Sequence, residues 1–517
     1  MPLHYDKILT TVGSDIYDNF GLLPITSFTD PVKLKREKSL EDQKKLRASS
    51  VPFSVISIDF CPVTKNLLLS KIETCHDRNV HIRMPLNRTH TRDLDCMTLT
   101  FDDARRELFN IIEKSNASTS VEVTSSITTR DERKKWWQTR YELDHRLQEL
   151  LNNIEVCWFN GMKGLFGPEI IEADILQDFR MKVNDVLHQN LPSRRQNGSP
   201  DMFLQVDDWI IELIMKLNPQ HDDFVLMMED LIYVILDVLL YHGEENAYDE
   251  IDVGVIHIQL EEIVKEFRPR LLSAQKISHT FLVVSSDCHM FPWESLSFLK
   301  DISVTRVPSF SILNDLIAKS NNKVSPEISL RENIAMILNP HGDLRKTESR
   351  FSDLFKEIAK KRPDSSLLIN QKPDEQTFLK MVSSSNLFIY LGHGGGEQYA
   401  RTREIKKFDH IAPSFLLGCS SASMGLYGKL EPTGTVYSYL LGGCCSVLGN
   451  LWDVTDKDID KFSERVFDEI GLGCGSSDGS QEGSWISKAV SRSRDVCHLK
   501  YLNGAAPVVY GLPMRFK

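Results

Sequence analysis

The sequence predicts an α/β fold, in which a mostly parallel sheet flanked by helices follows a helical α+β domain. Short apolar runs alternate with amphipathic segments from Thr280 onward, which is typical of parallel sheets covered by helices. The earlier half has three β-branched runs and then long segments with apolar residues at spacings of three and four, the period of a helix. At 517 residues two or three domains are expected. The change of pattern predicts a boundary between residues 1–272 and 273–517.

The first half contains several distinct segments. Residues 1–50 carry a charged run and few apolar patterns, which predicts an extended arm and a solvated helix. Residues 51–60, 65–73 and 79–86 predict strands of a small antiparallel sheet. The Ser/Thr-rich stretch at about 114–130 has no packing face, so we expect a mobile loop between two long helices.

Two strands of the second half end in reactive side chains. NLFIYLG leads to His393, and SFLLG leads to Cys419, 26 residues later. Gly-bounded apolar runs of this length are typical of buried parallel strands. If the strands are neighbours, the imidazole and the thiol lie side by side at the carboxyl end of the sheet, where α/β folds place their sites.

This pair suits nucleophilic catalysis. An imidazole beside a thiol raises the thiolate fraction and then protonates a leaving amine. The backbone N–H groups of Gly394 and Cys419 would hold the oxyanion, because the Gly-rich turn lets the backbone approach a substrate. The alternative is a loop histidine and a packed core thiol, since free Cys is often buried.

Composition excludes several classes of protein. The 61 basic and 72 acidic residues give a net charge of −11, so no nucleic-acid site is evident. No apolar run is long enough for a membrane span, and the N-terminus lacks the apolar core of a signal peptide. The ten cysteines include no C-x-x-C pair, which argues against a disulfide framework and a metal site. No cofactor is predicted.

The segment after Trp452 is rich in acids. Thr455 with Asp458 predicts a short capping box, with Asp456 and Asp458 as charges that favour the helix N-terminus. Capping does not explain Asp460, a turn further on, and Asp453 sits at a strand end. The alternative for all four acids is a solvated helix start.

Six motifs, taken together and in order, closely resemble the C-terminal protease region of separase, in the caspase-like clan. They are FPWESL, NPHGDLRKTESRF, YLGHGGGEQY, LLGCSSAS, LGNLWDVTDKDIDKF and YLNGAAPVVYGLP. The family proteins are longer, so we expect a C-terminal fragment that begins within a substrate-binding domain. The chain lacks the Q-A-C-x-G of true caspases, and its His–Cys gap is 26 and not about 50, so specificity for aspartate is not expected.

The resemblance implies an endopeptidase with His393 as general base and Cys419 as nucleophile. It implies cleavage after Arg in the kleisin subunit of cohesin, with Glu three positions before that Arg, when sister chromatids part. It also implies inhibition by securin as a pseudosubstrate, and a location in cytoplasm and nucleus.

A protease that cuts after Arg must offer the guanidinium a carboxylate. We expect Asp460 to supply it, as the family resemblance also indicates, with Asp453 in reserve and Trp452 against the Arg side chain. The upstream Glu would be read by a basic cluster after the His loop, although a solvated loop is the alternative. The cluster comprises Arg401, Arg403, Lys406 and Lys407.

Two other functions remain open. HGGG and the pentapeptide GSSDG around Ser477 match serine-hydrolase patterns, although GSSDG lies in a Gly/Ser-rich segment. A degenerate caspase-like scaffold that only binds partners is the second alternative, and the presence of both His393 and Cys419 argues against it.

Overall fold

The computed structural model describes residues 51–75, 79–88, 98–195, 205–426, 432–473 and 484–517. Its main feature is an 11-stranded sheet in the order β3-β2-β1-β4-β5-β12-β11-β10-β9-β7-β8, and β6 and β13 form a separate parallel pair. The strands are β1 Phe53–Cys61, β2 Asn66–Glu73, β3 Asn79–Pro85, β4 His279–Val284, β5 Val304–Val307, β6 Glu327–Ile328, β7 Ile334–Leu338, β8 Ser366–Ile369, β9 Leu387–Leu391, β10 Ser414–Leu416, β11 Ser446–Asn450, β12 Pro507–Gly511 and β13 Arg515–Phe516.

Sixteen α-helices connect or cover these strands in the described residues. They are α1 Phe101–Thr119, α2 Val121–Ser126, α3 Arg130–Ile154, α4 Ala173–Asn190, α5 Pro192–Arg195, α6 Asp208–Lys216, α7 Phe224–Tyr241, α8 Val253–Leu272, α9 Ser297–Lys300, α10 Phe310–Lys319, α11 Arg345–Lys361, α12 Glu375–Ser384, α13 Thr402–Ile405, α14 Thr435–Leu441, α15 Asp456–Ile470 and α16 Ile486–Ser493. None of these helices is long and apolar enough to cross a membrane.

The mostly parallel sheet confirms the predicted fold class. Among the described strands of the main sheet, only the pairs β1–β2, β2–β3 and β11–β12 are antiparallel. Strands β7, β9, β11 and β12 are buried along their whole length, as expected where helices cover both faces of a sheet. The predicted alternation of strands and helices is therefore the framework of the second half.

The three strands predicted near the N-terminus are present, but they do not form a sheet of their own. β1 pairs in parallel with β4, from Phe53 opposite His279 to Ile58 opposite Val284. The main sheet thus crosses the position predicted as a domain boundary near Leu272. The division into two domains itself stays a prediction, and the arm predicted for residues 1–50 lies outside the described residues.

The loop predicted at about 114–130 is wrong in its secondary structure, because α1 extends to Thr119 and α2 follows. The Ser118 hydroxyl bonds back to the Ser115 carbonyl at 2.6 Å. The Trp136 indole on α3 donates to the Ser118 carbonyl at 2.7 Å. The Ser and Thr polar groups, which the composition suggested would face water in a loop, instead bond within the helix and to α3.

A buried ion pair joins β5 to the segment after β4. The Arg306 guanidinium, 1% exposed, bonds both carboxylate oxygens of Glu294 at 2.7 Å. It also donates to the carbonyls of His289 and Phe291 at 2.6 and 2.7 Å. The FPWESL motif therefore has a structural role, since it satisfies a cation in the middle of the sheet.

We expect Glu294→Gln to destabilise the fold by about 3–5 kcal/mol, because it leaves the Arg306 charge buried without a counter-ion. The measurement is the urea unfolding midpoint. The matched control is the double variant Glu294→Leu/Arg306→Met, which removes both charges and should be closer to the parent. A single variant no less stable than the double would contradict this account.

Candidate active site

His393 and Cys419 emerge from adjacent parallel strands at the same level. β9 and β10 are hydrogen-bonded neighbours in which Tyr390 lies opposite Leu416. His393 and Cys419 each follow their paired strand residue by three positions. The prediction that the two strands are neighbours is therefore confirmed.

The turn that carries Cys419 is tied to β11. Ser420, directly after the thiol, has a left-handed φ of 52°. The Ser421 hydroxyl donates to the Leu416 carbonyl at 2.6 Å and accepts the Asn450 N–H at 3.0 Å. The Asn450 side-chain amide donates to the Gly418 carbonyl at 2.9 Å. These bonds place the thiol independently of any bound substrate.

The loop that carries His393 is equally well held. The Tyr390 hydroxyl donates to the His393 carbonyl at 2.8 Å. Gly394 has a φ of 63°, a conformation that glycine adopts at little cost. The Glu397 carboxylate accepts the Gly395 N–H at 2.7 Å. The HGGG run thus makes a tight turn within its own loop.

The hydrogen bonds and the thiol pKa describe an unactivated Cys419. The half-buried Cys419 thiol donates to the Val454 carbonyl at 3.2 Å. Burial raises the pKa of Cys419 to about 11, and the negative charges of Asp453 and Asp456 add to the rise. His393 Nε2 instead bonds Asp343 Oδ2 at 2.8 Å, and no hydrogen bond joins the imidazole to the thiol in the described residues. An imidazole–thiol hydrogen bond would therefore require a small rearrangement of these side chains.

The geometry is compatible with the predicted oxyanion donors. The N–H groups of Gly394 and Cys419 have no carbonyl acceptor among the residues that the structure describes. The two loops approach closely. A Cβ built on Gly418 would lie only 2.1 Å from the Gly394 carbonyl oxygen. The oxyanion role of Gly394 and Cys419 stays a prediction.

Asp460 is a buried carboxylate with one unsatisfied oxygen. It is 3% exposed, and its Oδ2 accepts the Thr347 hydroxyl at 3.1 Å. Its Oδ1 has no hydrogen-bond partner in the described chain. The Arg350 guanidinium is 3.9 Å from Oδ2 but binds Glu464 more closely, at 2.9 Å. Burial is the main reason that the pKa of Asp460 rises to about 6.

The capping box predicted for α15 is wrong. The helix begins after Thr455, but the Thr455 side chain makes no capping bond and accepts the Asn503 amide at 3.0 Å. The Asp458 carboxylate is buried and accepts the N–H groups of His498 and Leu499, both at 3.0 Å. Tertiary partners have replaced the local cap.

The other acid and the aromatic residue predicted for the Arg pocket are engaged elsewhere. Asp453 Oδ1 accepts the Ser420 hydroxyl at 2.5 Å, so it holds the nucleophile turn. Trp452 is 1% exposed, and its indole donates to the Leu502 carbonyl at 2.7 Å. This placement leaves little of the ring for a substrate, and both substrate-binding roles stay predictions.

The basic cluster divides into two pairs. Arg403 and Lys407 bind the Glu404 carboxylate at 3.2 and 2.7 Å. Arg401 and Lys406 are exposed and have no ion pair in the described residues. If the cluster reads a carboxylate, Arg401 and Lys406 are the two cations free to do so.

Sequence reasoning missed Asp343, for it found no third group beside the His–Cys pair. Asp343 follows strand β7, which pairs with β9 on the side opposite β10. The signal that could have found Asp343 is the same as for His393 and Cys419, because in NPHGDL it follows the apolar run of β7.

Two further predictions are limited by what is described. Ser477 and the GSSDG pentapeptide lie outside the described residues. No group of three or more possible metal-ligating His, Cys, Asp or Glu side chains occurs in the part of the chain that the structure covers.

Comparison with known proteins matches this arrangement to one family. Residues 62–459 match the family described as "Separin, protease domain". The chain is 55% identical to separin of Saccharomyces cerevisiae over its whole length, which covers 32% of that protein. It is 38% identical to separin of Schizosaccharomyces pombe over 89% of the chain and 25% of that protein.

A solved structure agrees with both the sequence and the fold. The separase chain in a 2.6 Å crystal structure of the Saccharomyces cerevisiae separase–securin complex matches with a TM-score of 0.88 and 56% identity. The match covers 94% of this chain and 32% of the crystallised one. The chain thus spans a third or less of the length of these relatives. From the family match and these identities, the chain belongs to the separin family.

Proposed function

We propose that the chain is a cysteine endopeptidase that cleaves the kleisin subunit of cohesin after Arg. The observation that carries this proposal is the buried, half-satisfied carboxylate of Asp460. It lies on α15, which begins two residues after Val454, whose carbonyl accepts the Cys419 thiol. Membership of the separin family supports the protease class, and the Asp460 environment supports the specificity for Arg.

The reaction would proceed in balanced steps. The Cys419 proton moves to His393, and the thiolate adds to the carbonyl carbon of the substrate Arg. The C–N bond breaks, and the imidazolium gives its proton to the leaving amine. Water then hydrolyses the thioester and regenerates the thiol. Donors at Gly394 and Cys419 would hold the oxyanion in both halves of the reaction.

Asp460 is suited to a guanidinium for two reasons. A buried carboxylate with a free oxygen loses a hydrogen bond that a forked N–H donor would restore. Arg keeps its charge at every accessible pH, so binding it would also favour the ionised form of Asp460. Asp453 is less suited, because its Oδ1 already accepts a hydrogen bond from the Ser420 hydroxyl.

The partners follow from the same assignment. The crystallised relative was solved with securin, and an inhibitor of this kind would occupy the Arg pocket as a pseudosubstrate. We place the protein in cytoplasm and nucleus, where its kleisin substrate would be met. A silent scaffold would need neither the tied nucleophile turn nor the unsatisfied oxygen of Asp460.

Replacing the dyad should abolish turnover. Cys419→Ser should be inactive because a hydroxyl is far less acidic than a thiol, and His393→Ala should cost a similar factor. The double variant should lose little more, since groups that act as one unit are not additive. Single-turnover cleavage of a kleisin fragment is the measurement. If Cys419→Ser kept a tenth of the activity, the nucleophile would have been assigned wrongly.

Asp460→Asn should lower kcat/KM for Arg substrates by about 2–5 kcal/mol, the cost of leaving one buried charge unpaired. That corresponds to roughly 30-fold or more. Iodoacetamide, which carries no guanidinium, should still alkylate Cys419 at the parental rate. Loss of alkylation as well would mean that Asp460 supports the fold or the dyad.

Asp460 also predicts a pH dependence. Its pKa is raised to about 6, so the carboxyl becomes neutral as the pH falls through that value and binds Arg less well. We expect kcat/KM for Arg peptides to fall below about pH 6, with a smaller fall in Asp460→Asn. Asp364→Asn, which changes an exposed acid before β8, is the acid control. An equal acid limb in Asp460→Asn would contradict the assignment.

The free cations of the basic cluster should read the upstream Glu. Arg401→Glu and Lys406→Glu should raise KM for peptides with Glu three positions before the Arg, because like charges repel. Peptides with Gln there should be unaffected. Lys407→Glu is the control, since Lys407 is already paired with Glu404. Equal effects on both peptides would rule out direct recognition.

A further inference from the structure

We propose that Asp343 is a positioning residue for His393, completing an Asp–His–Cys row along three neighbouring strand ends. It would orient the imidazole through Nε2 and stabilise its protonated form. The inference rests on the proposed function in one respect, because it takes His393 and Cys419 as base and nucleophile.

The sheet order places the three residues in a row. β9 lies between β10 and β7, and all three strands run parallel. Tyr390 of β9 pairs with Leu416 on one side and Ile337 on the other. Cys419, His393 and Asp343 therefore leave consecutive strands at the same edge of the sheet, where the active sites of α/β folds form.

The loop that carries Asp343 is built on β9 itself. The Asn339 N–H bonds the Leu391 carbonyl at 2.8 Å, and Asn339 Oδ1 accepts the Leu344 N–H at 2.9 Å. Gly342 has a φ of 78°, and a Cβ there would lie 2.4 Å from the Asn370 side-chain oxygen. The backbone on both sides of Asp343 is thus held relative to the strand that carries His393.

This preorganisation bears on the strength of the contact. Both side chains are about half exposed, and an exposed ion pair between flexible side chains contributes little. Here the 2.8 Å contact between His393 Nε2 and Asp343 joins residues whose loops are anchored to one strand, so less entropy is lost in forming it. Partial burial acts to raise the pKa of Asp343, but the hydrogen bond and charge of His393 outweigh it, so that this pKa is lowered.

Other ionisable groups around His393 are oriented differently. The His341 ring lies 5.8 Å from that of His393, and its Nδ1 bonds the Tyr399 hydroxyl at 2.9 Å. The Glu397 carboxylate accepts the Gly395 N–H. Burial raises the pKa of Asp456 on α15, and the charges of His393 and of Lys346 on α11 partly offset this rise. No hydrogen bond links Asp456 to the His393 ring in the described residues.

The tautomer follows from this geometry. With Nε2–H donating to Asp343, Nδ1 is the ring nitrogen that remains to take the Cys419 proton. The carboxylate then stabilises the imidazolium that forms, and the imidazolium stabilises the thiolate. Burial, Asp453 and Asp456 raise the pKa of the Cys419 thiol, whereas Asp343 contacts the imidazole.

The test compares Asp343→Asn with Asp343→Glu, and uses Asp364→Asn as control. Asp364 is an exposed acid before β8, at the edge of the sheet where the parallel strands begin and opposite the edge that carries Asp343. We expect Asp343→Asn to lower kcat at least about tenfold with KM unchanged, and Asp343→Glu to restore part of it. Alkylation of Cys419 by iodoacetamide should shift to higher pH in Asp343→Asn, because the imidazolium that favours the thiolate is less stable. Urea unfolding of the variants should match that of the parent chain.

Two outcomes would overturn the inference. A kcat for Asp343→Asn within about twofold of the parent would remove the positioning role. A higher kcat would show that Asp343 is a latch that holds His393 away from the thiol. In either case inactivity of His393→Ala and Cys419→Ser would leave the proposed function intact, whereas an active His393→Ala would refute the dyad itself.

Discussion

The close approach of two loop backbones at Gly418 is the constraint on which the site depends. A Cβ at Gly418 would lie 2.1 Å from the Gly394 carbonyl oxygen and 2.3 Å from that of Gly392. Only glycine allows the two strand ends to come together at this distance. The pairing of β9 with β10 brings His393 and Cys419 to one level, and the missing side chain at Gly418 lets their loops meet.

The position of Asp460 depends on a second set of contacts, which connects the helical half to α15. Asp144 of α3 accepts the N–H groups of Tyr501 and Leu502 at 2.9 and 2.7 Å. Asp458 of α15 accepts the N–H groups of His498 and Leu499, earlier in the same loop. The loop before β12 is therefore held by acids from both halves. The helix start that carries Asp460 is thus positioned partly by residues far from it in the sequence.

The site is acidic, and this charge has opposing consequences. Burial is the main reason that the pKa of Cys419 is raised to about 11, and Asp453 and Asp456 add to the rise, so the thiol is protonated at neutral pH. The same acids would make a favourable field for the substrate Arg that we propose. A bound guanidinium would offset the negative charges that disfavour the thiolate, so substrate binding and thiol activation would be coupled through electrostatics.

The sequence by itself determined the features that depend on local residue patterns, namely the buried strands and the reactive residues that follow them. Gly-bounded apolar runs predicted the strands that carry His393 and Cys419, because a parallel strand buried on both faces must be apolar throughout. The family resemblance singled out the same two residues. Tertiary structure alone decided what depends on distant partners. The helix near Ser118 is retained by a bond from Trp136, and the predicted cap at Thr455 gives way to Asn503, because polar side chains bond whichever partner the fold brings near. The contact of Asp343 with His393 and the unsatisfied oxygen of Asp460 likewise depend on elements that meet only in the folded chain, and no sequence spacing encodes those distances.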